Sequence, residues 1–101
     1  MQKGKEIKPI TFTFDLPGMT QEQYELAHRE LGKPLEQGAL VHIAGPMEGG
    51  WCVVEVWPSQ EAADRFFGSQ RVQQAFQKAG MPPIQPIVFS VYALYASPQQ
   101  A

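Results

Sequence analysis

From Ile7 to Asp15 the chain alternates apolar and polar residues, Ile10, Phe12 and Phe14 against Thr11, Thr13 and Asp15, which is the period of a strand with two unlike faces. Pro9 then belongs near the strand's start or on an unpaired side. Pro17-Gly18 is turn chemistry, and Thr20 followed by Gln23 forms a capping box that opens a helix running to about Leu31. Tyr24, Ala27 and Leu31 recur at helical spacing along its apolar stripe. Gly32-Lys33-Pro34 ends it. Ala39 to Ala44 reads as a second strand, Gly45 to Gly50 as a turn, and Trp51 to Trp57 as a third strand, so this stretch is a hairpin.

Pro58-Ser59 breaks the strand and supplies the cap of a second helix, whose Ala62, Ala63, Phe66 and Phe67 make one apolar face. Val72, Ala75, Phe76 and Ala79 continue a helical stripe out of phase with the first, which places a break at Gly68-Ser69. After Ala79-Gly80, Pro82, Pro83 and Pro86 form a stiff connector to a last strand, Ile87 to Tyr95. Ser97 to Ala101 are expected to fray.

The order βαββαβ predicts a ferredoxin-like α+β sandwich, one domain over residues 1–101 with an ordered core of about 7–95. Right-handed crossovers put both helices on one face of a four-stranded antiparallel sheet, with the first and third strands central. Each strand has a mainly apolar row: Ile10-Phe12-Phe14, Val41-Ile43, Cys52-Val54-Val56 and Phe89-Val91. These rows are expected to meet the helices. The mixed rows are Thr11-Thr13, Leu40-His42-Ala44, Trp51-Val53-Glu55-Trp57 and Val88-Ser90-Tyr92-Leu94. If the turn pairs Gly45 with Gly50, His42 lies opposite Val53 and diagonal to Trp51 and Glu55, so the hairpin keeps its mixed rows on one face. The uncovered face would then carry His42, Trp51, Glu55, Trp57 and Tyr92. A second sheet laid over it would close a cavity. His42 directed toward Phe66 or Phe76 would mean instead that the rows are inverted, and would remove the site expected on the open face.

Composition narrows the partners. With 8 basic and 10 acidic side chains and a formal net charge of -2, nothing marks a footprint for nucleic acid or an anionic membrane. The single Cys52 cannot form an internal disulfide and sits among apolar neighbours, which fits a reducing compartment. No apolar run reaches signal-peptide or membrane-span length, so a cytoplasmic location is expected. Two histidines and one cysteine give no metal-ligand spacing. Gly45 to Gly50 opens a strand rather than a helix, so it is no phosphate cradle. An RNA-recognition module shares the element order, but its third strand should begin basic and then alternate aromatics. Gly49 to Glu55 offers one aromatic, no basic residue and an acid.

Four stretches carry a family resemblance: G-x-T-x-x-Q-Y at Gly18 to Tyr24, H-I-A-G-P at His42 to Pro46, G-G-W at Gly49 to Trp51, and V-W-x-S-x-E-A at Val56 to Ala62. With the element order, they make the chain from Ile10 to about Tyr95 resemble the small dimeric α/β-barrel proteins of the antibiotic-biosynthesis-monooxygenase-like superfamily. The resemblance implies a homodimer whose sheets face each other around a cavity for a small hydrophobic or aromatic ligand. That superfamily includes cofactor-free monooxygenases acting on polycyclic phenols, polyketide cyclases, lactone isomerases and haem-degrading enzymes, and fold alone does not choose among them. The haem-degrading relatives usually carry an axial histidine on the second helix. This helix has none, so no cofactor is expected.

Two readings of His42 stand side by side. It acts as a general acid or base on a phenolic or enolic ligand, or it is hydrogen-bonded to Glu55 or a partner chain for stability. Glu55 would orient His42 or sit solvated at the cavity mouth. Trp51 and Trp57 would stack on a flat ligand or pack in a dimer interface. Tyr92 with Ser90 would donate hydrogen bonds to a ligand carbonyl or serve the interface, Thr13 would contact the ligand, and His28 reads as a surface or boundary residue of the first helix. The expected function is a cofactor-independent monooxygenase, or a cyclase or isomerase, acting on a small aromatic or polyketide-like substrate. The alternative is a non-catalytic dimeric binding or structural protein.

Overall fold

The computed structural model describes residues 8–81 and 85–97. The sequence expectations that fall on Ile7, Pro82, Pro83 and the last four residues lie outside them. The strands are β1 (Ile10–Pro17), β2 (Val41–Met47), β3 (Gly50–Trp57) and β4 (Ile87–Ser90). The helices are α1 (Gln21–Leu31), α2 (Gln60–Phe67) and α3 (Gln70–Ala79), with a 3-10 turn at Pro34–Gln37. All pairings are antiparallel, in the order β2-β3-β1-β4, so β1 and β3 are central. This is the expected α+β architecture.

The helix boundaries follow from side-chain caps. The Thr20 hydroxyl accepts from Gln23 N at 3.1 Å while the Gln23 side chain accepts from Thr20 N at 3.0 Å, satisfying two donors that the first turn leaves free. Ser59 and Ser69 cap α2 and α3 through Ala62 N and Val72 N. The phase slip at Gly68-Ser69 is therefore a full break between two helices. α1 and α3 also cap each other's last turns. Gln23 Nε2 donates to Ala79 O and Gly80 O, and Arg71 Nη2 donates to Glu30 O and Leu31 O.

The hairpin is tighter than its glycines imply. Met47 pairs with Gly50 across a loop of Glu48 and Gly49, with Gly49 at φ 78°, so β2 runs through Gly45-Pro46. Pro46 is tolerated because β2 is an edge strand. A Cβ at Gly50 would collide with Leu16 O, so that position accepts only glycine at the observed backbone separation. Compared with the expected register the pairing shifts by two residues. Parity is preserved, and His42 stands directly opposite Glu55.

The face assignment is inverted for β2, β3 and β4. β1 sends Phe12 and Phe14 to the helices as expected, but they pair with Glu55 and Val53, so the row Trp51-Val53-Glu55-Trp57 also lies under the helices, with His42. The opposite face carries two rungs across all four strands: Val41-Val56-Thr11-Phe89 and Ile43-Val54-Thr13-Ile87. The energetics favour this choice. Each tryptophan buries roughly 200 Å², on the order of 5 kcal/mol, against about 2 kcal/mol for each residue of the Cys52-Val54-Val56 row. Of the polar groups that come inside with the tryptophans, His42, Glu55 and Trp57 Nε1 are paired, which removes much of the penalty for burying them, whereas Trp51 Nε1 is buried without a hydrogen-bond partner among the described residues.

β4 is also shorter than expected. Its ladder to β1 covers Ile87 to Ser90, with one further bond from Val91 N to Pro9 O, and among the described residues nothing pairs beyond it. The remainder of the apolar run, Tyr92 to Tyr95, extends past the sheet.

Candidate active site

β2 and β3 bring an imidazole and a carboxylate face to face, and α1 lays a phenol over them. His42 Nδ1 lies 2.8 Å from Glu55 Oε2, and His42 Nε2 lies 2.7 Å from Tyr24 Oη. Trp57 Nε1 donates to the other carboxylate oxygen, Glu55 Oε1, at 2.9 Å. Both oxygens of a carboxylate only 7% exposed are thereby satisfied. For a neutral imidazole facing an ionised Glu55, the hydrogen sits on Nδ1 and Nε2 accepts from the Tyr24 hydroxyl. Burial, and secondarily the Glu55 charge, raises the Tyr24 hydroxyl above its ordinary value of 10.0, so at neutral pH it remains a donor.

Helical periodicity puts Tyr24 there. It belongs to the stripe that packs on the sheet, its ring lies 5.6 Å from Trp51 and 6.0 Å from His42, and its hydroxyl reaches His42 Nε2. Trp57 is fixed by the Phe66 and Phe67 rings, at 4.9 and 5.9 Å, and by Gly38, whose missing side chain leaves room for the indole.

These groups border a cavity of about 70 Å³ between the sheet and the helices. His42, Glu55 and Tyr24 form its polar end, while Phe14, Phe67, Phe76 and Met81 are among its apolar walls, and His28 and Gln37 also line it. Such a site can bind a small, mostly apolar molecule and exchange a proton with it through the phenol-imidazole-carboxylate chain.

Of the residues singled out in the sequence, His42 and Glu55 line this cavity. Trp51 and Trp57 are buried beside it, supporting Tyr24 and Glu55 rather than facing the opening. Thr13, Ser90 and Tyr92 do not join them. Thr13 alternates with Phe12 and Phe14 and so faces away from the helices, Ser90 is exposed on the edge strand, and Tyr92 is fully exposed beyond the sheet. The candidate site is thus within one chain, under the helices, and not on the open face. Helical spacing alone marks Tyr24 as a packing residue; the signal for more is a hydroxyl on an apolar stripe, which needs a partner once it is buried. His28 was read as a boundary residue, yet it lines the cavity and stacks on Tyr24 at 5.9 Å.

Comparison with known proteins bears on the fold. No family model matches the sequence, and no curated protein is significantly similar to it. Among solved structures, a protein from Shewanella oneidensis superposes with a TM-score of 0.63 at 11% identity, covering 86% of this chain and 93% of that one. A Chloroflexus aurantiacus protein provisionally named an antibiotic biosynthesis monooxygenase gives 0.56 at 12% identity, covering 92% and 98%. One from Deinococcus radiodurans, provisionally named likewise, gives 0.53 at 15%, covering 94% and 100%. The chain therefore has the ferredoxin-like fold that these three structures share, two of which carry the provisional monooxygenase name. Among the described residues no helix is long and apolar enough to cross a membrane.

Proposed function

We propose that this protein catalyses proton transfer on a small phenolic or enolisable substrate held between its sheet and its helices, as a monooxygenase or as a cyclase or isomerase. The observation that carries the reading is the unbroken chain Tyr24-His42-Glu55, closed by Trp57, at the polar end of an apolar cavity. His42 is the base, Glu55 fixes its tautomer and balances the charge it gains, and Tyr24, which lines the cavity beside His42 and bonds its Nε2, is the group that hands the proton across. In the oxygenase branch an activated CH₂ gives up a proton, the carbanion is oxidised by O₂, and the carbon ends as C=O with release of water. In the isomerase branch the same proton returns at another carbon. The provisional names of the solved structures with this fold are compatible with the first branch.

The reading includes a homodimer. The open sheet face presents Ile43, Ile87 and Phe89, each more than half exposed, and the exposed Tyr92, Leu94 and Tyr95 follow on the same chain. A second copy laid over that face would bury them without touching the cavity. Light scattering at micromolar concentration should give twice the chain mass; a monomer would sink this part of the reading.

Oxygen uptake and product formation should be followed with anthrone-like compounds, β-polyketones and single-ring phenols. His42→Ala should lower turnover by about a hundredfold or more while the fold is retained. If compounds bind but neither oxygen uptake nor product appears, the protein is a binding protein instead; if His42→Ala turns over at the wild-type rate, His42 is not the base and the relay reading falls.

A further inference from the structure

The relay supplies a base but not the second group that proton abstraction beside a carbonyl needs. When a C–H bond next to C=O breaks, charge gathers on the carbonyl oxygen, and the barrier falls furthest where a fixed donor meets that oxygen. Tyr24, His42 and Glu55 do not serve, because each is bonded to its neighbour and the Tyr24 hydrogen is directed to His42 Nε2. The other polar side chains lining the cavity are His28 and Gln37. Gln37 stands on the 3-10 turn, with its amide oxygen engaged by Arg71 Nη1 at 3.5 Å. Trp51 Nε1 is a buried donor without a partner among the described residues, but Trp51 does not line the cavity.

His28 meets the requirement. It lies one helical turn after Tyr24 on α1, and the two rings stack with centroids 5.9 Å apart at an interplanar angle of 24°. Its half-buried side chain makes no hydrogen bond among the described residues, which leaves a ring N–H for a molecule in the cavity. A carbonyl carbon and its α-carbon are bonded atoms, so the groups that serve the oxygen and the α-hydrogen have to be neighbours, as His28 and Tyr24 are. The negative end of α1, which would oppose an anion, is offset: Glu30 O and Leu31 O accept from Arg71 Nη2, and His28 O accepts from Gly32 N.

We infer that His28 is a catalytic residue, the donor that holds the carbonyl oxygen of an enolisable ketone while the Tyr24-His42-Glu55 chain takes the proton from the adjacent carbon. The inference rests on the proton-relay reading and narrows its substrate to carbonyl compounds with an acidic α-hydrogen. In the step, the C–H bond breaks, its electron pair becomes the C=C of the enolate, and the C=O π pair moves to the oxygen. The substrate proton passes to Tyr24 Oη as the Tyr24 proton passes to His42 Nε2, and Glu55 balances the imidazolium so formed. The enolate oxygen stays hydrogen-bonded to the His28 N–H. That bond strengthens as the oxygen gains charge, so it acts on the transition state more than on binding.

The test is deuterium exchange at the α-carbon of acetylacetone, 1,3-cyclohexanedione and 4-hydroxyphenylpyruvate, with kcat and KM measured for the compound that wild type exchanges fastest. His28→Leu removes the donor and should lower kcat by about a hundredfold or more, with KM changed by less than about tenfold. His28→Gln keeps a side-chain N–H and should exchange at least about tenfold faster than His28→Leu. Exchange by folded His28→Leu at the wild-type kcat, or equal kcat in the two His28 variants, would overturn the role of His28. The relay reading stands in that case if His42→Ala is impaired. Independently of the variants, 1,3-cyclohexanedione added to the wild-type protein should move the His28 ring nitrogen signals in NMR, and unmoved His28 signals would overturn the inference whether or not those of His42 move. If wild type exchanges none of the three compounds above the spontaneous rate, the relay reading falls and takes the inference with it.

Discussion

Glu55 and Trp57 stand two residues apart on β3, and the indole Nε1 donates to the carboxylate oxygen that His42 does not use, at 2.9 Å. Alternation along the strand puts both on the helix side, so the tryptophan that anchors the core also satisfies the buried acid. Trp57→Phe keeps an aromatic ring but leaves Glu55 Oε1 without a partner. Urea denaturation should show a loss of about 1–3 kcal/mol, the cost of an unsatisfied buried acceptor together with some packing. Unchanged stability would mean that water replaces the indole at no cost.

Tyr24 links stability to pH. Its hydroxyl is raised above 10.0, first by burial and then by the Glu55 charge, whereas the unfolded chain ionises it near the ordinary value. The folded state thus holds this proton more tightly. Its contribution to stability is fully present below the unfolded value and is lost as pH rises through the raised folded value. The phenolate absorbance difference between wild type and Tyr24→Phe should titrate above pH 10, and Tyr24→Phe should lose less stability on alkalinisation than wild type does. A difference titration centred below 10 would show that the hydroxyl is not held as described.

Gln23 serves both α1 and α3, closing the capping box at Thr20 and donating to the last carbonyls of α3. Gln23→Ala should cost about 1 kcal/mol in thermal or chemical unfolding. Thr20→Ala combined with it should cost less than the two separate losses added together, because the box is one reciprocal unit.

Much of the fold was legible because its signals are local. Thr20-Gln23, Ser59, the phase slip at Gly68-Ser69 and the alternation in β1 each fix an element within a few residues, and the order of elements then leaves few topologies. The face assignment was not local. Hairpin parity ties His42 to Glu55, but β3 meets β1 only through tertiary register, and both candidate rows of β3 contain valines. Glu55 in the mixed row of β3, and His42 in that of β2, point outward by composition alone. The β3 row goes inward because Trp51 and Trp57 need burial, and because Tyr24, on another element, completes the polar pairing. His42 and Glu55 were therefore identified correctly as neighbours and placed on the wrong side. The length of β4 failed for a related reason: Val91 to Tyr95 have the composition of a strand, but beyond Val91 no described strand lies alongside.

The central claim is that His42, acting through Tyr24 and backed by Glu55, moves a proton to or from a molecule in the cavity. The most direct measurement is proton-deuterium exchange in deuterated water, followed by NMR, at the acidic carbon of a panel of small enolisable compounds that includes acetylacetone, 1,3-cyclohexanedione and 4-hydroxyphenylpyruvate. The account predicts exchange above the spontaneous rate for at least one compound, reduced about a hundredfold or more in folded His42→Ala and strongly reduced in Tyr24→Phe. Exchange no faster than the spontaneous rate across the panel, or equally fast in His42→Ala, would contradict it.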